Sequence, residues 1–138
     1  MFSDPATQIF VVDDEPVIAS TLAAILQMNG FSAEFFTSPL EALAAARSKA
    51  PDLLISDVTM PDISGIDLAM LMRAQYPTCK ILLFSGHPAT CGLIEDARAR
   101  GHEFHLLLKP VAPAELLLEI GKMVDATVAV AQHTTIDS

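Results

Sequence analysis

Gln8-Ile9-Phe10-Val11-Val12-Asp13-Asp14 is the stretch that decides the fold: an apolar run that ends abruptly on two adjacent carboxylates. The same design returns downstream in Asp52-Leu53-Leu54-Ile55-Ser56-Asp57. Both runs are continuous in apolar residues rather than alternating, which suits strands buried on both faces of a parallel sheet. Three further runs, at 32–36, 80–84 and 104–108, repeat the pattern and bring the expected strands to five, with the first at 8–12 and the third at 52–56. Carboxylates seldom end buried strands unless paired or bound to a cation, because desolvating an unpaired charge is costly.

Helical spacing fills the intervals. Val17, Ile18, Leu22, Ile25 and Leu26 lie on one face, and Asn29-Gly30 supplies a stop signal. A second helix starts after Ser38-Pro39 and carries Leu40, Leu43 and Ala44, with Pro39 at the first helical position, where its missing N–H is not needed. A third covers 64–75 with Ile66, Leu68, Leu71 and Met72 and stops before Pro77. The fourth covers 89–100 and ends at Gly101; the fifth starts near Pro113 and carries Leu116, Leu117, Ile120 and Val124. Strand and helix alternate five times, which predicts an α/β protein with right-handed crossovers and a doubly wound parallel sheet.

Bulk properties narrow the function classes. At 138 residues with 51% hydrophobic and 18% charged, the chain is expected to be one folded domain with a sizeable core. Its formal net charge is -9, and the 8 basic residues form no cluster in the sequence, so nucleic-acid binding is not expected. The acidic balance fits protein partners. Cys79 and Cys91 follow neither a CxxC nor a metal-ligand spacing and read as reduced thiols. Met1-Phe2-Ser3-Asp4-Pro5 lacks the features of a signal peptide, and no run approaches the roughly 18 apolar residues of a membrane span, so no membrane partner and a cytoplasmic location are expected. The segment 126–138 reads as a C-terminal tail or helix extension after a domain of 1–125, with no output domain.

In open sheets of this class, ligands gather outside the carboxyl ends of the strands. There the first strand delivers Asp13 and Asp14, the third Asp57, the fourth Ser85 and the fifth Lys109. Three carboxylates brought together repel and favour a divalent cation, and carboxylate oxygens suit Mg²⁺. Lys109 supplies a positive charge and Ser85 a hydrogen bond, so Asp57 is placed to act as a nucleophile toward a phosphoryl group. Each residue alone has a plainer reading. Asp13 and Asp14 could cap the first helix, Ser85 before Gly86 could be a turn serine, Asp57 a turn residue, and Lys109 a solvated lysine followed by a break at Pro110. Their joint placement favours the site.

The same stretches resemble the receiver domain of bacterial two-component response regulators. The resemblance rests on Val11-Val12-Asp13-Asp14-Glu15, Ser56-Asp57-Val58-Thr59-Met60-Pro61, Gly65, Leu83-Phe84-Ser85-Gly86-His87 and Lys109-Pro110, in register over residues 6 to 125. It implies a flavodoxin-like sheet of strand order 2-1-3-4-5. It further implies that Asp57 accepts a phosphoryl group from a sensor histidine kinase or phosphotransfer protein and passes the signal to a downstream protein. Asp14, Asp57 and the backbone carbonyl of Thr59 would bind Mg²⁺, with Asp13 acting mainly through water. Ser85 would move toward the phosphoryl group and Lys109 would pair with it, the chain catalysing its own phosphorylation and dephosphorylation rather than acting as an enzyme on other substrates. Thr59 and His87 occupy positions that tune the phosphoryl lifetime in that family, and Lys109-Pro110 is often cis there.

Two departures stand out against that pattern. The usual Tyr or Phe three residues before the lysine is Leu106, and the run from Gly101 to Lys109 is one residue longer than usual. Either the loop absorbs the extra residue, which is favoured, or a bulge lets Phe104 or His105 fill the aromatic slot. An interaction scaffold independent of phosphorylation and an aspartate-dependent phosphohydrolase are the competing functions, although the second usually has Asp-x-Asp after its first strand. His102 and His105 have metal-like spacing without an evident third ligand. Met60, Met70, Met72 and Met123 read as core fillers. Leu116-Leu117-Leu118 is wider than one core stripe, so its surplus marks either a dimer face near the fourth and fifth helices or packing against the sheet and tail.

Overall fold

A computed structural model describes residues 7–87, 90–101 and 104–136, of which 90 and 125–136 are described as backbone alone. Strands β1 (Gln8–Val12), β2 (Ser32–Phe36), β3 (Leu53–Asp57), β4 (Lys80–Ser85) and β5 (His105–Leu108) alternate with helices α1 (Pro16–Met28), α2 (Pro39–Ala46), α3 (Gly65–Gln75), α4 (Thr90–Ala99) and α5 (Pro113–Ile136). All pairings are parallel, in the order β2-β1-β3-β4-β5, so the doubly wound five-stranded sheet is present as expected.

The pleat divides the apolar runs between two cores. Phe10, Val12, Leu54, Ile81 and Leu83 meet Ala42, Leu68, Met72 and Ile94 from α2, α3 and α4, while Ile9, Val11, Leu53, Ile55 and Leu82 meet Leu26, Leu116 and Ile120 from α1 and α5. This two-sided burial is why the central runs show no polar alternation. The edge strands differ: Glu34 and Phe35 of β2 and His105 and Leu108 of β5 are exposed. Each large aliphatic side chain fully removed from water contributes about 2 kcal/mol, so the three central strands dominate the apolar stabilisation.

Helix ends follow their local chemistry. Pro16 and Pro39 stand in the first turns of α1 and α2, and Ser38 Oγ accepts from Leu40 N at 3.2 Å. Ser64 Oγ accepts from Asp67 N at 3.1 Å and starts α3. Gly30 after α1 has φ +93, a left-handed turn that an L side chain would resist.

Several boundaries shift from expectation. β3 begins at Leu53 and runs on to include Asp57; Asp52, just before it, keeps backbone bonds to Gln8 O and from Lys80 N, and its carboxylate also accepts Gln8 N at 2.8 Å. β4 includes Ser85, and β5 starts at His105 rather than Phe104. Ala89, expected to open the fourth helix, lies outside the described residues, as do Met1-Phe2-Ser3-Asp4-Pro5 and His102. The segment from 126 continues α5 as helix through Ile136. Among the described residues, no helix is long and apolar enough to cross a membrane.

Leu116 is buried and Leu117 packs at the margin of the same core, so the apolar surplus of that triplet reduces to Leu118, 62% exposed. The ladder from His105 to Leu108 is unbroken, pairing Leu106 with Leu83, so no bulge lifts another residue into its place. Phe104 is instead buried just before the strand, with the Arg73 guanidinium 5.6 Å from its ring centroid.

Candidate phosphoryl site

The parallel register delivers the polar residues to one edge because each central strand ends at the same level: Val12 is paired with Ser56, and Asp57 with Phe84. Asp13 and Asp14 follow β1, Asp57 closes β3, Ser85 closes β4 and Lys109 follows β5. One ligand atom from each of Asp13, Asp14 and Asp57 lies within 4.8 Å of the others. Lys109 Nζ stands 3.4 Å from Asp57 Oδ1. The Lys109-Pro110 peptide is cis.

The three carboxylates sit in different surroundings. Asp14 is exposed and Asp57 partly buried, whereas Asp13 is 2% exposed. Asp13 Oδ1 accepts from Glu15 N at 2.9 Å, but its Oδ2 is buried and has no hydrogen-bond partner among the described residues. Burial holds the Asp13 carboxyl above its ordinary 3.8; the Glu15 N–H pulls the other way, and repulsion from Asp57 adds to the rise. The helix-cap reading of Asp13 does not hold: its one bonded oxygen takes the N–H of Glu15, ahead of the helix. Glu15, not an aspartate, occupies the α1 N-cap, and no side chain caps that helix.

A buried carboxylate with an unpartnered oxygen, clustered with two further carboxylates, calls for a compensating positive charge. Lys109 supplies part of it. The donor set is all oxygen, so the residues present fit Mg²⁺ in type and charge.

Ser85 is 1% exposed and its hydroxyl is held by its own loop: Oγ accepts from His87 N at 3.0 Å and lies 3.2 Å from the His87 carbonyl oxygen. The turn-serine reading therefore describes its geometry here, at the end of a strand beside the carboxylates. Thr59 is exposed on the connection between β3 and α3, which Gly65 N closes by donating to Val58 O at 2.8 Å. On that connection Asp62 takes a left-handed φ of 72, a conformation short polar side chains tolerate better than most. His105, away from this edge, has Nδ1 3.9 Å from Glu119 Oε1 and belongs to no three-ligand cluster among the described residues.

Ser56 is the feature that pattern reading passed over. It is 0% exposed, and its Oγ donates to the Asp57 carbonyl at 2.9 Å. The available signal was one hydroxyl side chain inside an otherwise apolar run. Gly65 stands directly above: a Cβ there would collide with the Asp57 carbonyl oxygen.

Comparison with known proteins bears on the family. The family described as response regulator receiver domain matches residues 9–121. A probable transcriptional regulatory protein, TcrX of Mycobacterium tuberculosis, is 32% identical over 130 residues, covering 94% of this chain and 53% of that protein. The chain thus spans about half the length of the curated relatives it matches. Among solved structures, the chemotaxis protein CheY4 of Vibrio cholerae superposes with a TM-score of 0.75 at 28% identity, covering 86% of this chain and 98% of that one. The response regulator TrrA of Thermotoga maritima, solved in complex with Mg(2+)-BeF, gives 0.74 at 30% identity, with 85% and 98% covered. A family match across residues 9–121, most of the chain, on a five-stranded parallel sheet of order β2-β1-β3-β4-β5, shows the family: the chain belongs to the response regulator receiver domains of two-component systems.

Proposed function

We propose that this receiver is a phosphoacceptor whose Asp57 takes a phosphoryl group from a phosphohistidine on a sensor histidine kinase or phosphotransfer protein. The observation that carries the reading is the company Asp57 keeps: Lys109 Nζ at 3.4 Å on one side and the Asp13–Asp14 pair on the other. An Asp57 carboxylate oxygen attacks phosphorus; the new O–P bond forms as the donor P–N bond breaks, and the departing imidazole nitrogen takes up a proton. Lys109 stays beside Asp57 and balances the transferred charge. Ser85 turns from its His87 loop contact to donate to a phosphoryl oxygen.

Asp14, Asp57 and the Thr59 carbonyl would hold Mg²⁺, with Asp13 supporting it through water. When bound, the ion neutralises the carboxylates and the phosphoryl oxygens together. Asp13 contributes a fixed negative charge to the floor of the site, anchored by the Glu15 N–H. The assignment makes the receiver the catalyst of its own phosphorylation and dephosphorylation.

Output is proposed to run through protein contacts of a unit comprising 1–125 followed by the segment 126–138. The net charge of -9 supports a protein partner over nucleic acid. Leu118 on α5 offers exposed apolar surface for such a contact, a second copy included.

Incubation with acetyl phosphate and Mg²⁺, read by intact mass, tests the assignment. One phosphoryl adduct is expected on wild type and none on Asp57→Asn. Removal of Lys109 as Lys109→Ala is expected to slow adduct formation by about 10²-fold, the scale of losing one preorganised charge stabiliser. No adduct on wild type would favour the phosphorylation-independent scaffold, and sustained turnover of a phosphate ester would favour a hydrolase.

A further inference from the structure

We propose that Ser56 is a positioning residue for the phosphoacceptor, its buried hydroxyl fixing the peptide that carries Asp57. The inference rests on the phosphoacceptor reading of Asp57 and adds a residue to it. Burying a hydroxyl is unfavourable unless it is bonded, and at this position alanine would also fit the space of a strand interior. Ser56 is nonetheless fully buried between its ladder neighbours Val12 and Leu83. Its Oγ donates to the carbonyl of the next residue, Asp57, at 2.9 Å.

That carbonyl needs a local partner because the β1–β3 register ends at Val12 and Ser56, one residue short of it. The first turn of α3 then closes over it. Gly65 has no side chain to intervene, and a Cβ at that position would strike the Asp57 carbonyl oxygen and come within 3.0 Å of Ser56 Oγ. Beyond the carbonyl, Val58 is held at both ends: its N–H donates to Phe84 O at 2.9 Å and its carbonyl accepts from Gly65 N at 2.8 Å. The Ser56 hydroxyl therefore completes a rigid peptide between the Asp57 side chain and Thr59. Without it the 57–58 peptide keeps only the Val58 N–H bond to Phe84 O, and the Asp57 carboxylate and the Thr59 carbonyl are less firmly directed. The hydroxyl touches no reacting atom; it acts through the backbone.

The test compares wild type, Ser56→Cys and Ser56→Ala at saturating acetyl phosphate and Mg²⁺, with urea unfolding of each. The rate constant for adduct formation should follow donor strength, wild type above Cys above Ala, with Ala roughly tenfold slower. A merely structural hydroxyl would move the unfolding midpoint and leave the saturated rate alone, so equal rates across the three overturn the proposal. Should Ser56→Ala fail to fold, the Cys variant decides: a wild-type rate overturns the proposal and a reduced rate supports it. Wild type that takes no adduct overturns the phosphoacceptor reading itself, which is distinguishable from equal nonzero rates.

Discussion

Asp52 precedes β3 and Asp57 closes it, five residues apart, and the two live opposite lives. At the amino end of the sheet, Asp52 Oδ2 accepts Gln8 N at 2.8 Å and Arg73 Nε donates to Cys79 O at 2.9 Å. Both side chains border a cleft of about 850 Å³ that Lys49 and Lys80 also line, so opposite charges share that end. At the carboxyl end, Asp57 meets two further carboxylates within 4.8 Å, and a buried oxygen of Asp13 has no partner among the described residues. Charge is abundant at both ends. What separates them is whether the protein uses the charge to hold its own backbone or leaves it poised for something else.

The largest test of that contrast is Gly65→Ala. The added methyl collides with the Asp57 carbonyl oxygen, which is backbone and cannot swing aside. Relief requires α3 to lift from the end of β3, and we expect a loss of about 3 kcal/mol in urea unfolding, at the upper end for overpacking. Stabilisation by Mg²⁺ should fall with it, because the connection through Thr59 moves too. A loss below about 1 kcal/mol would mean that the β3–α3 junction is soft, and the carboxyl end would then be less preorganised than the distances suggest.

Asp52→Ala should have a smaller effect of a different kind. It removes one acceptor from the Gln8 N–H at an exposed position and is expected to cost about 1 kcal/mol of stability. Adduct formation at Asp57 should be unchanged at saturating Mg²⁺ and phosphodonor. A slowed reaction would show the two ends to be coupled through β3, and the division of labour would fail.

The fold was legible because its signal is physical and redundant: five apolar runs, the three central ones buried on both faces, separated by helical spacing that opens at Pro39 and Ser64 in the second and third helices. The carboxyl-edge residues were legible for the same reason, since parallel strands of matched length must bring their ends together. Boundaries at 52 and 57 were less so, because only the fold reveals that the Asp52 side chain turns back to Gln8. Basic residues scattered along the chain gave no hint that Lys49, Arg73 and Lys80 would border one cleft, as that depends on where β3, β4 and α3 begin and end. Burial also distinguishes two thiols that composition leaves equal: Cys79 is buried and its thiol is pushed up to about 12, while Cys91 is exposed. Ser56 was invisible as a functional residue because a single hydroxyl in a strand carries no spacing signature; its bond to Asp57 O exists only in three dimensions.

Asp13→Asn carries the smallest expected effect and the opposite sign. Asparagine keeps an acceptor for the Glu15 N–H and removes a charge that is buried beside Asp57. With divalent cations chelated at pH 7, the variant should therefore be more stable than wild type, modestly so because water reaches the neighbouring Asp14. The pH dependence follows from the raised carboxyl. A group titrating higher in the folded state than its unfolded 3.8 favours folding fully below that value and loses the contribution as pH rises through its folded value. The advantage of Asp13→Asn should thus vanish below about pH 3.8, grow as the pH rises past the folded value, and stay level beyond it. Adding Mg²⁺ at pH 7 should reverse the order, because binding stabilises wild type by mass action and the variant lacks one of the charges that attract the ion. Thermal unfolding across pH, with and without Mg²⁺, reads both effects. A variant less stable than wild type in chelator would mean that the orphan oxygen is already compensated within the protein, and the carboxyl end would then resemble the amino end after all.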